Sequence, residues 1–237
     1  MLNTINLSNI LVVDIETVPQ QKSFSSLQEN IKSLWDEKTR TQRKEDQTAN
    51  DFYDRAGIFA EFGKIICISF GIFSIQNKQQ TIRIKSFYGD DEAMILQNFI
   101  DLIEKDGRIK YLCAHNGKEF DYPYLCRRML INGLKIPEIL NIAGKKPWET
   151  KHLDTMELWK FGDYKHYTSL NLLATILGID TPKDDINGAD VSKVYYEEQN
   201  LDRIVKYCQK DVTTTAQVLL KFKGMPKIST ENITIVM

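Results

Sequence analysis

The sequence predicts an α/β protein with a mixed central β-sheet flanked by helices, and three observations point to it. A continuous apolar run, NILVVD at 9–14, reads as a buried strand. Two further β-rich runs follow at 65–75 and 81–88, the second alternating with period two, with a polar turn at Asn77, Lys78 and Gln79 between them. After these three antiparallel-looking strands come a helix, a strand and more helices, an order that covers a sheet with helices.

Each later element has its own signal. Asp90 and Asp91 open a helix over 92–105, EAMILQNFIDLIEK, whose apolar positions are Ile95, Phe99, Leu102 and Ile103. KYLCA at 110–114 is a fourth strand, and the helix through FDYPYLCRRMLING ends at Gly133. HLDTMELWK at 152–160 reads as a short extended piece leading into a helix, with Asp154 as its N-cap. TSLNLLATILGI at 168–179 is a compact helix capped by Thr168 or Ser169 and stopped by Gly178, and the last helix runs roughly over 201–223. Residues 20–62 are polar and charged and predict a helical insertion able to cover a site. The tail at 224–237 is expected to be a stray strand or partly disordered, and 1–237 to be one domain.

Composition narrows the function classes. A chain of 237 residues, 42% of them hydrophobic, can bury a full core. A net charge of −1 argues against a protein that coats nucleic acid through a global basic field. It leaves room for an enzyme with a local groove and cations recruited by its own carboxylates. Cys67, Cys113, Cys126 and Cys208 form no CxxC pair and fit buried thiols in a reducing compartment. No apolar run approaches the ~18 residues of a membrane span, and MLNTINLSN lacks the blocks of a signal peptide. The expectation is a soluble, cytoplasmic protein with no membrane partner.

Three acidic segments stand out. Asp14 and Glu16 lie two apart on the first strand, hence on one face, where they can grip a cation together. Two solvated acids at a strand end would read the same way. Asp121 begins a helix after Asn116 and Gly117 turn the chain, as an ordinary first-turn acid also would. Tyr207 and Asp211 are four apart in the last helix and share a face. Four carboxylates converging at one end of a sheet would repel strongly without cations. Hard oxygen donors suit Mg²⁺ or Mn²⁺, and a pair of such ions ~4 Å apart is the clamp used for in-line attack on phosphodiesters.

In order, D-I-E-T, N-G-K-E-F-D and Y-C-Q-K-D resemble the three motifs of the DEDD (DnaQ-like) superfamily of 3′–5′ exonucleases, in its tyrosine subtype. FGKIICISFG, SLNLLATILGI and DINGADV look like the exonuclease domains of family-B DNA polymerases, and the chain is similar to stand-alone predicted exonucleases of that group. The resemblance covers about 9–223 and implies an RNase H-like fold with the acids at one end of the central strands. It implies Asp14, Glu16, Asp121 and Asp211 as ligands of two divalent cations, Mg²⁺ or Mn²⁺, and Tyr207 as the residue that orients the attacking water. Thr17 would bond the terminal 3′-OH through side chain or backbone. Asn116, Phe120 and Lys183 are further substrate-binding candidates, although Phe120 equally suits the core and Lys183 a solvated loop. His115, His152 and His166 have no metal-ligand spacing, and only His115 adjoins a motif.

The substrate implied is a single-stranded DNA 3′ end, with a polymerase or repair partner in trans. An RNA- or oligonucleotide-degrading exonuclease would use the same site, and a non-catalytic nucleic-acid-binding module would use the same fold.

Overall fold

The computed structural model describes residues 2–163, 167–180 and 186–236. Six strands, β1 (Ile10–Pro19), β2 (Gly63–Gln76), β3 (Gln79–Tyr88), β4 (Tyr111–Ala114), β5 (Leu153–Asp154) and β6 (Ile233–Val236), form one sheet in the order β5-β4-β1-β2-β3-β6. β1 runs antiparallel to β2 and parallel to β4, so the sheet is mixed, as expected. Asn77 and Lys78 join β2 to β3 with φ of 50° and 64°, the backbone that a two-residue hairpin turn demands.

The helices are α1 (Glu29–Thr39), α2 (Glu92–Lys105), α3 (Asp121–Ile131), α4 (Thr155–Lys160), α5 (Leu170–Ile176), α6 (Val191–Tyr196) and α7 (Leu201–Phe222). Their caps follow the sequence: Asp91 accepts from the Met94 N–H, Ser169 from Leu172, and Asp154 from Met156 and Glu157. Three of these elements are short. β5, β6 and α6 carry two, four and six residues.

The period of two along β1 sorts its side chains between two cores. Leu11, Val13 and Ile15 pack with Ile95 and Phe99 of α2 and Tyr122 and Leu125 of α3. Ile10 and Val12 pack with Val212, Ala216 and Leu219 of α7. The residues that continue the second series are Asp14 and Glu16, so the strand delivers its acids to the α7 side. Gly71 of β2 lets α7 come close, because a Cβ there would lie 2.8 Å from Ile82 and 3.1 Å from Val212.

Residues 20–62 carry α1 and build a small aromatic core around Trp35, with Phe52, Tyr53 and Phe62 buried beside it. The indole N–H donates to the Ala49 carbonyl at 2.8 Å. Bonds that tie this segment to the body include Tyr124 Oη donating to the Gly57 carbonyl at 2.7 Å, Thr17 Oγ1 donating to the same carbonyl at 2.8 Å, and Arg128 donating to that of Ala60 at 2.8 Å. Among the described residues, no helix is long and apolar enough to cross a membrane.

Arg128 also pairs with Glu92, its Nε 2.8 Å from one carboxylate oxygen, and both side chains are buried. Glu92 accepts as well from the Ile65 N–H and from Asn132, joining α2, α3 and β2. Removing one member of a buried pair strands the other. Arg128→Met is expected to cost about 3–5 kcal/mol in urea denaturation; an unchanged midpoint would mean that the pair holds nothing together.

A candidate acidic active site

Asp14 and Glu16 project from β1 toward α7, and α7 answers with Tyr207, Cys208 and Asp211. Glu16 is buried, and the strand breaks register between Glu16 and Thr17, an irregularity set beside the two acids. Burial first, and then the charges of Asp211 and Asp121, push the Asp14 carboxyl well above the usual carboxylate range. Glu16 is raised in the same way, by burial and then by Asp14 and Asp211.

Asp121 stands at the start of α3 and is 4% exposed. Burial pushes its pKa up to about 7, and the charges of Asp154 and Asp211 add to the rise. Hydrogen bonding from its own backbone and from that of Ile15 works the other way, and the Ile15 contact ties α3 to β1 beside the acids. The structure thus brings together Asp14, Glu16, Asp121, Tyr207 and Asp211 from β1, α3 and α7.

Tyr207 is held at the edge of this group. Its ring packs on the cluster that contains Val18, Ile66, Val191 and Ile204, while its hydroxyl hydrogen-bonds to Asp211 one turn on. Burial, followed by the charges of Asp211, Glu16 and Asp14, pushes the phenol far up. It keeps its proton at any pH near neutrality.

One neighbour had no signal in the sequence. Cys208 is buried, and its thiol lies 3.2 Å from Asp14 Oδ2 and 3.4 Å from the Asp14 carbonyl oxygen. Asp14, Glu16 and Cys208 each present an atom within 4.8 Å of the others. Burial raises the Cys208 thiol well above its ordinary value, so it donates to Asp14 as a thiol. The donors left for a cation are carboxylate oxygens, a hard set that fits Mg²⁺ or Mn²⁺.

The loop before α3 is stitched from behind by Asp154. Besides capping α4, this buried carboxylate accepts from the Asn116 N–H at 3.0 Å and the Lys118 N–H at 3.1 Å. The loop needs Gly117, where a Cβ would lie 2.5 Å from Ala114 Cβ and 2.9 Å from the Tyr122 ring. Asn116 adopts φ 64°, and its side-chain oxygen is buried without a hydrogen-bond partner among the described residues. Phe120 stacks at 5.3 Å on Tyr124. The Thr17 hydroxyl donates to the Gly57 carbonyl at 2.8 Å. His115 bonds to Thr155 and to the Thr168 carbonyl, and burial lowers its pKa. His152 accepts from the Leu112 N–H at the β4 edge. Lys183 and His166 lie outside the described residues.

A profile of the family described as "predicted 3′–5′ exonuclease related to the exonuclease domain of PolB" matches residues 58–233. That span takes in Asp121, Tyr207 and Asp211 and begins after Asp14 and Glu16. An uncharacterised protein of Methanocaldococcus jannaschii is 28% identical over 134 residues, which are 53% of this chain and 71% of the relative. A DNA polymerase of Pyrococcus glycovorans is 23% identical over 148 residues, 56% of this chain and 18% of the polymerase. The solved family B DNA polymerase of Pyrobaculum calidifontis is similar with a TM-score of 0.55 at 13% identity, over 90% of this chain and 24% of the polymerase. The chain therefore spans about a quarter or less of either polymerase. The structural likeness speaks for the fold, and the RNase H-like architecture expected from the motifs is borne out.

A carboxyl whose pKa is higher folded than unfolded binds protons more tightly in the folded chain. Its contribution to stability is full below the unfolded value of about 4 and is lost as pH rises through the folded value. For Asp121 that loss is complete above about 7. In EDTA the melting temperature is expected to rise between about pH 8 and about pH 6. Asp14→Asn should stabilise the chain at about pH 8 by about 1–2 kcal/mol, the worth of roughly one pKa unit, and raise the melting temperature with it, because repulsion is relieved. A melting temperature indifferent to both changes would contradict this electrostatic account.

Proposed function

Because the chain belongs to the family of predicted 3′–5′ exonucleases related to the exonuclease domain of PolB, we propose that it is a metal-dependent 3′–5′ exonuclease. Its substrate is the 3′ end of single-stranded DNA, and its product is a nucleoside 5′-monophosphate. One observation carries the reading: acids from β1, α3 and α7 converge and raise one another's pKa, the arrangement expected of a cation seat.

Asp14, Glu16, Asp121 and Asp211 are the ligands in this proposal. Two Mg²⁺ or Mn²⁺ ions held there would supply the positive charge that activates a water and stabilises the departing 3′ oxygen. The water attacks the terminal phosphorus and the P–O3′ bond breaks, leaving the shortened strand with a free 3′-OH. Tyr207 holds its hydroxyl proton and is tied to Asp211, so it can fix the direction of the attacking water while that water loses its own proton. Cys208 steadies the Asp14 carboxylate from behind, by a hydrogen bond that leaves the other oxygen uncommitted to the thiol.

Thr17, Asn116, Phe120 and Lys183 are proposed on the substrate side. Asn116 stands in the loop that leads into Asp121, with its side-chain oxygen buried and without a partner among the described residues. The Thr17 hydroxyl proton is already given to Gly57, which favours its backbone as the group that meets the 3′ end. A polymerase or repair partner acting in trans fits the same reading.

The test is a panel of 3′- and 5′-labelled single-stranded DNA and RNA with Mg²⁺, Mn²⁺ and EDTA. Stepwise loss of mononucleotides from the 3′ end of DNA is expected, abolished by EDTA. Asp14→Ala should lower the rate by more than about a thousandfold, the several kcal/mol that cation charge supplies. Tyr207→Phe should lower kcat about a hundredfold with binding retained. If no 3′ end is shortened with either metal, the enzymatic reading fails; faster loss from RNA would reassign the substrate.

A further inference from the structure

α3 delivers Asp121 as its first residue, yet Phe120 at the N-cap position makes no side-chain cap bond. The start of the helix is set instead by the loop that enters it. The Asn116 carbonyl accepts from the N–H groups of Glu119 and Phe120, and the Gly117 carbonyl from that of Tyr122. That loop is in turn held by the junction of β5 and α4. Asp154 is 3% exposed and accepts from the Asn116 N–H at 3.0 Å and the Lys118 N–H at 3.1 Å. Thr155 bonds His115 at 2.9 Å, and Glu157 pairs with the Lys118 ammonium at 2.5 Å. The Tyr122 hydroxyl donates to the Leu153 carbonyl at 2.8 Å.

Both chain neighbours of Asp121 are therefore tied back to one place. Phe120 reaches Asp154 in two hydrogen bonds through Asn116, and Tyr122 reaches Leu153 in one through its hydroxyl. The path has little slack, because Asn116 sits at φ 64° and Gly117 has no room for a Cβ. Capping a helix takes one side-chain acceptor, which a serine supplies as well. Asp154 uses both carboxylate oxygens: Oδ1 serves Met156, Glu157 and Asn116, and Oδ2 serves Lys118. The second oxygen takes no part in capping α4, so this side chain does more than end a helix.

We propose that Asp154 is a positioning residue of the acid site: through Asn116 and Lys118 it holds the loop that fixes Asp121 against Asp14 and Glu16. It touches neither cation nor substrate and acts through Asp121. The inference rests on the exonuclease reading above for the cations, while the hold on the loop does not. Groups that orient metal ligands from behind typically change metal affinity or rate about 10–100-fold when they are lost.

The experiment compares two variants of the full chain. Asp154→Ser keeps a cap for α4 but is too short for the loop, and Asp154→Asn keeps one acceptor oxygen and loses the charge. Asp91→Ser makes the same exchange at the cap of α2, where the partner is the Met94 N–H, and is the control. Amide hydrogen exchange in EDTA reads the loop without metal: the Phe120 and Tyr122 N–H groups should exchange about tenfold faster in Asp154→Ser and be unchanged in the control. Mn²⁺ titration reads the site: affinity should fall about 10–100-fold in Asp154→Ser, less in Asp154→Asn, and stay constant in Asp91→Ser. If the serine variant does not fold, Asp154→Asn carries the test through faster exchange at the Lys118 N–H. Unchanged exchange, or unchanged Mn²⁺ affinity, would overturn the positioning role. So would equal losses with Ser and Asn, which would assign the effect to the missing charge. A native chain that takes up no Mn²⁺ overturns the cation seat itself, and that failure is distinct from variants that bind as well as a native chain that binds.

Discussion

Asp14, Glu16, Asp121 and Asp211 repel one another, and the fold holds them together against that repulsion. The cost is visible in the raised carboxyl pKa of Asp14, Glu16 and Asp121. Such an arrangement is tolerated when the surrounding packing is strong enough to impose it. Here the packing is the two-sided core of β1, whose Leu11, Val13 and Ile15 anchor on α2 and α3 while Ile10 and Val12 anchor on α7. With both faces of the strand locked, the next two positions on the α7 side cannot turn away. The acids are carried in by hydrophobic burial.

Around that centre, polar contacts set orientation. Cys208 bonds Asp14, Asp154 fastens the loop before Asp121 by two backbone N–H groups, and Ile15 meets Asp121. Cations placed among the acids would convert the repulsion into attraction, so the same residues that destabilise the bare chain would stabilise the loaded one.

Much of this was legible from the residues. NILVVD, the alternation of TIRIKSFY and the capped helices follow local rules, and the structure keeps them. The spacing of Asp14 and Glu16 announced a shared face, and Tyr207 with Asp211 did the same. β5 is the short extended piece read at the start of HLDTMELWK, and its partners could not be read locally: Leu153 and Asp154 pair with Cys113 and Ala114 of β4. β6 depends likewise on β3, and α6 on its burial of Val191 and Val194 beside β1 and β2. Asp154 read correctly as an N-cap, but its hold on Asn116 and Lys118 crosses nearly forty positions and has no local signature. The contact from Cys208 to Asp14 spans 194 positions, and no pattern in the sequence could have paired them.

If the acids are a seat for two cations, the seat can be counted directly. Bound Mn²⁺ loses the sharp paramagnetic resonance signal of the free aqueous ion, so titration of the purified chain gives a stoichiometry. The account predicts two Mn²⁺ per chain, the number a phosphodiester clamp requires, and fewer when Asp211→Asn removes a ligand. No uptake, or uptake that the loss of Asp211 leaves untouched, would contradict it.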